Sequence, residues 1–108
     1  MTSQGHPRTV FRRALEHGNL LLAEATAREV GRLDLDEALE LTALIAARDR
    51  ERGRRYALRW LARWLEEANG TIEDAVMVAG GLAALGGPRH EPGLAFLRSF
   101  KHGSVRPG

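Results

Sequence analysis

The chain has 108 residues, 44% apolar and 28% charged, with 16 Lys plus Arg against 14 Asp plus Glu and no cysteine. This composition excludes a disulfide-stapled scaffold, a Cys-based zinc module and a thiol nucleophile, and it describes one domain with enough apolar material for an ordinary core. The longest uncharged run, Ala75 to Pro88, is shorter than the ~20 residues a membrane-spanning helix needs.

Apolar positions recur every three and four residues from Val10 onward, and no alternating stretch is long enough for a strand, so the expected class is all-α. Residues 1 to 6 are expected to be a flexible N-terminus without the apolar segment of an export signal, which with the missing cysteines points to a cytoplasmic setting. Helix A is predicted from about Thr9 to His17 and is broken by Gly18-Asn19, with Asn19 able to cap helix B over Leu20 to Val30. Gly31 ends helix B. Asp34 is the expected N-cap of helix C, which runs to about Ala47 with Asp36 and Glu37 in its first turn. The apolar residues of helix C cover more than half its circumference, so it should touch at least two neighbours.

The polar run from Arg48 to Arg55 contains Gly53, which places a connection there and starts helix D near Arg54, to end at Asn69-Gly70; one unbroken C–D helix is the alternative. Thr71 with Asp74 reads as a capping box opening helix E. Between Asp74 and Arg89 there is no charge, and the apolar residues surround the whole axis, so this helix is expected to be buried on every side. Gly80-Gly81 in its middle points to a close helix crossing or a kink. A short helix F, about Pro92 to Phe100, would act as a lid, and residues 102 to 108 form an expected flexible tail.

The result is a single helical domain over residues 7 to 101. It has five or six short antiparallel helices, arranged as a bundle or a short helical-hairpin solenoid. Gly18-Asn19-Leu20 with Ala23 and Ala25, and Gly31-Arg32-Leu33 with Glu37, Ala38 and Leu41, resemble the small-residue rhythm of tetratricopeptide-type hairpins, without that repeat's aromatics or its period. The strings Ala14 to Glu24 and Asp74 to Ala79 resemble small uncharacterised all-helical proteins of high-GC actinobacteria. That resemblance implies a bacterial cytosolic origin and assigns no functional residues.

His6, His17, His90 and His102 lack metal-ligand spacing, and Glu16, Asp36, Glu37, Glu66 and Glu67 read as solvated carboxylates. No phosphate-binding loop is present, so no catalytic, metal or cofactor site is expected, and no small-molecule ligand. Two features remain. Arg48 to Arg63 holds seven arginines against two acids, and Arg52, Arg55, Arg59 and Arg63 fall within about a quarter of the helix circumference. They form a ridge for nucleic acid or an acidic partner unless the six acids between Glu24 and Glu40 neutralise it. Tyr56, Trp60 and Trp64 beside that ridge are core, base-stacking surface or interface anchors. The second feature is apolar excess. Trp60, Trp64, Val76, Met77, Gly80 and Gly81 are the candidate interface of a non-catalytic module that binds another protein or itself as a homodimer; a nucleic-acid binder is the alternative.

Overall fold

A computed structural model describes residues 6–100, so the expected flexibility of residues 1–5 and 102–108 lies outside the described residues. Six helices follow in order: α1 (Pro7–Glu16), α2 (Leu20–Val30), α3 (Leu35–Arg48), α4 (Arg50–Glu67), α5 (Ile72–Ala84) and α6 (His90–Phe100). No strand occurs among the described residues, and the all-α expectation holds. Consecutive helices pair as three hairpins, α1 with α2, α3 with α4 and α5 with α6, while α3 also touches α1, α2 and α6.

The ends follow from capping chemistry. Asn19 Oδ1 accepts from the Leu22 amide at 3.1 Å. Asp34 and Glu37 exchange backbone amide bonds at 2.7 and 3.0 Å, and Thr71 and Asp74 do the same at 3.0 and 3.1 Å, so both starts are full capping boxes. Gly18 and Gly31 carry φ of 67° and 88°, a left-handed backbone that a side chain would strain.

The C–D connection is corrected by the structure. Asp49, with φ −146° and ψ 100°, is extended, ends α3, and caps α4 by accepting from the Arg52 amide at 3.1 Å. The break is therefore one residue long, and Gly53 lies inside α4. Its role is close packing: a Cβ there would fall on Ala46 Cα and 2.6 Å from Ala46 Cβ of α3. Helices α1 and α6 likewise begin two residues earlier than expected, at Pro7 and His90.

The wide apolar arc of α3 feeds two cores. On one side Leu41 and Ile45 pack with Phe11 and Ala14 of α1 and Ala23 of α2; on the other, Leu39, Ala43 and Ala46 pack with Trp60, Trp64, Val78, Leu82, Leu94 and Leu97. Trp60 Nε1 donates to the Leu35 carbonyl at 2.9 Å, which satisfies the indole inside the core.

The molecule is flat, with extents of 48 × 34 × 19 Å, and its shortest dimension holds only about two helix layers. A two-layer molecule has no central position. Helix α5 has α4 and α6 as its close neighbours and meets α3 only through core side chains such as Val78 and Leu82, so the expectation of all-round burial fails: Ile72 is 80% exposed, Val76 66% and Met77 49%.

Candidate functional site: an open apolar face on α4 and α5

Helix α4 buries Gly53, Trp60 and Trp64 against α3, and leaves Leu58 and Leu65 about half exposed on the flank that turns toward α5. Helix α5 buries Val78, Gly81 and Leu82, while Ile72, Val76, Met77 and Gly80 face outward. The two helices are joined by a short turn at residues 68–71 and run antiparallel, so that Gly86 packs beside the Arg50 side chain at the far end. Their exposed apolar residues thus form one continuous face.

Between them lies a groove of about 390 Å³. It exists because the facing side chains are small: Gly53, Ala57, Ala79, Ala83 and Gly86 line it with Leu58, Leu61 and Leu82. Among the described residues its ionisable lining groups are Arg50 and Arg54, which form no acid–base pair. At the opposite end of the face Leu65, Ile72 and Val76 are exposed, with the exposed Glu73 on the same helix as the last two.

The candidate interface residues divide. Trp60 and Trp64 are 2% and 0% exposed, which makes them core rather than surface anchors and removes them as stacking platforms. Gly81 is buried as well, because a Cβ there would come within 2.9 Å of Leu97 of α6, whereas a Cβ on Gly80 would meet nothing. The close crossing expected of the glycine pair is thus made by Gly81 alone, with Gly93 of α6 against Ala84. Val76, Met77 and Gly80 remain on the face. Leu58, Leu65 and Ile72 were the missed members: the spacing of the two leucines also fits the α4 stripe that carries the tryptophans, and Ile72 belongs to the α5 periphery expected to be buried.

The arginine ridge is largely tied to its own chain. Arg52 Nη2 donates to Glu24 of α2 at 2.8 Å, and this hydrogen bond raises the Arg52 pKa further above its ordinary value. Arg63 Nε donates to Glu67 at 2.6 Å, Arg32 reaches the same carboxylate at 2.9 Å, and Arg55 lies 3.6 Å from Glu51. Arg59 sits over the Tyr56 ring, 5.1 Å from its centroid.

The Arg63 hydrogen bond, with both arginine charges, holds the Glu67 carboxyl below its ordinary value. A carboxyl depressed in the folded state adds stability that is complete above its unfolded pKa and disappears as pH falls through the folded one. Urea denaturation should therefore show Glu67→Gln less stable than the parent chain at pH 7, with the difference closing below about pH 4. A constant difference across that window would deny the linkage.

A second, polar cleft lies along α1, α3 and α6, lined by Glu16, Asp34, Asp36, Glu37 and Glu40 with Arg12 and Arg98. Glu37 is not the solvated carboxylate expected: it is 4% exposed, and Arg8 and Arg12 of α1 reach it at 3.3 and 3.2 Å. Arg98 grips Glu40 through two bonds of 2.7 and 2.8 Å, fastening α6 to α3. These carboxylates serve as interhelix ties. No group of three His, Asp or Glu able to hold a metal occurs among the described residues, and no described helix is long and apolar enough to cross a membrane. No protein-family model, curated protein or solved structure matches the chain.

Proposed function

We propose that this protein is a non-catalytic interaction module, acting in the cytoplasm, whose α4–α5 face docks a protein chain, either another protein or a copy of itself. The observation that carries this reading is the continuity of the exposed face. Leu58, Leu65, Ile72, Val76 and Met77 are all at least 49% exposed on two adjacent helices, whereas the other exposed large apolar side chains among the described residues, Leu21 at 83% and Leu22 at 40%, stand on α2. Scattered apolar residues are ordinary on a protein surface, but a contiguous patch beside a groove marks a contact surface. The internal pairing of Arg52, Arg55 and Arg63 supports protein docking over nucleic-acid binding, because a paired guanidinium must break its ion pair before it meets a phosphate.

A photoreactive side chain placed at Val76 tests this in the protein's own cells, with the exposed Glu29 of α2 as the control position. Protein-sized adducts should form from position 76 and not from position 29. Absence of any protein adduct at 76 would remove the docking surface.

A further inference from the structure

The groove between α4 and α5 is cationic at one end and hydrocarbon along the rest. On α4 its lining runs through Arg50, Arg54, Ala57 and Leu61. At 3.6 residues per turn the last three stand within about 40° of Arg50 around the helix axis, so the four form one row ~16 Å long. Across from it are Ala83 of α5 and Gly86 just past that helix. The Arg50 side chain lies over Gly86, where a Cβ would come 3.1 Å from its Cγ, and so borders the end of the groove.

Neither Arg50 nor Arg54 has an ion-pair partner among the described residues, although Arg52, Arg55 and Arg63 of the same helix do. The acids nearest in sequence are committed elsewhere. Asp49 caps α4 through the Arg52 amide, and Glu51 stands about 100° round the axis from Arg50, 3.6 Å from Arg55. Among the described residues no acid lines the groove. Two cations with free donors at the head of an apolar trough suit an anion that carries its charge at one end only. We infer that the groove binds a medium-chain fatty acid, with its carboxylate on Arg50 and Arg54 and its alkyl chain laid between α4 and α5 toward Leu61.

The volume of about 390 Å³ falls within the range of small-ligand sites, about 300–1,000 Å³. The small side chains on both walls leave room for an unbranched chain, and beyond the two arginines no polar side chain in the lining could pair with a second polar group on the ligand. A guanidinium meets a planar carboxylate through two parallel N–H donors, which favours this head group over a rounded one. The site goes beyond the docking reading, and shares only Leu58 with the exposed residues that carry it. It also departs from the expectation that no small molecule binds. That expectation came from absent loop motifs and metal spacings, whereas this cavity arises where two helices meet through small residues.

The test is an amide proton–nitrogen correlation NMR titration of the full chain with sodium decanoate below its micellar concentration. The amides of Ala57, Leu61, Ala83 and Gly86 should shift together along a single-site isotherm, while those of the exposed Leu21 and Leu22 on α2 stay in place. Affinity should tighten at least ~fivefold from octanoate to decanoate and again to dodecanoate, because each step lays two more methylenes on apolar surface. Decyltrimethylammonium, with the same chain and the opposite head, should bind at least ~tenfold more weakly. Arg50→Gln with Arg54→Gln should remove that preference, whereas Arg59→Gln, whose guanidinium sits over the Tyr56 ring, should keep it. Ala83→Phe, at an exposed position in the lining, should fill the trough and abolish decanoate binding, with circular dichroism confirming its helices.

Decanoate that shifts no groove amide up to about 1 mM overturns the inference. So does decanoate that moves Leu21 and Leu22 as much as the groove, or that binds the double arginine variant as tightly as the parent chain. The photoreactive group at position 76 tests the docking reading separately, so either can fail while the other stands.

Discussion

Trp64→Ala should lower the unfolding free energy by about 3–5 kcal/mol, the range for deleting a large aromatic side chain from a closed core. Trp64 has no exposed surface and packs in the core that joins α3, α4, α5 and α6, so no neighbour can collapse into the space without moving a helix. It is pressed from the α4–α5 turn as well, since a Cβ on Gly70 would come within 2.6 Å of its Cη2. Domains of this size hold about 5–15 kcal/mol in total, and each kcal/mol lost lowers the melting temperature by roughly 4–8 °C. The variant should therefore melt at least about 12 °C below the parent in a calorimetric scan. Leu65→Ala, one residue along the same helix but half exposed, should change stability by less than about 1 kcal/mol. Equal losses at the two positions would contradict the division of α4 into a buried side and a docking side.

That division also marks where the sequence stopped being informative. The class and the number of helices were legible because the caps are local: Asn19, Asp34 and Thr71 bond amides three residues away, and their chemistry is written in the adjacent letters. Gly53 was misplaced because a glycine in a polar run carries the same local signal whether it ends a helix or admits a neighbour, and Ala46 lies in the preceding helix. The same limit applies to α5. Its apolar periphery was visible, but whether a periphery is covered depends on how many layers the fold has, and a 19 Å thickness is a tertiary property. Glu37 shows the reverse error. A carboxylate in a first turn is ordinarily solvated, and the approach of Arg8 and Arg12 from α1, beside the capping-box amide of Asp34, makes its burial sustainable.

Whether the arginine row is neutralised was left open by the sequence for the same reason. The acids between Glu24 and Glu40 neutralise part of the ridge, through Glu24 on Arg52, but Arg63 and Arg55 are satisfied by Glu67 and Glu51 within their own helix. What remains unpaired on α4 includes Arg50 and Arg54, which turn toward the groove instead of along the ridge. The cations with most freedom to meet a partner are thus displaced by more than a quarter of a turn from the row that sequence spacing singled out, and they border apolar surface.

Two glycines inside helices should respond to alanine in opposite directions. Intrinsic propensity favours alanine by about 1 kcal/mol at either position, because glycine loses more backbone freedom on folding. At Gly80 nothing opposes that gain: the added methyl meets open space, and Gly80→Ala should stabilise the chain by about 0.5–1 kcal/mol. At Gly53 the methyl lands on the backbone of Ala46, where two helices already cross at contact distance and no flexible side chain can move aside. Relief requires α3 and α4 to separate along the interface that holds Trp60, at a cost of about 1–3 kcal/mol or more for such overpacking. The clash outweighs the propensity, so Gly53→Ala should be destabilised by up to about 2 kcal/mol net. Urea midpoints at unchanged slope measure both, and a Gly53→Ala variant as stable as the parent would show that the α3–α4 crossing is looser than the structure has it. Because Gly80 lies on the open face and Gly53 beneath the groove floor, the pair also separates monomer stability from association. Gly80→Ala should raise the first while thickening the face just where a partner would approach the backbone.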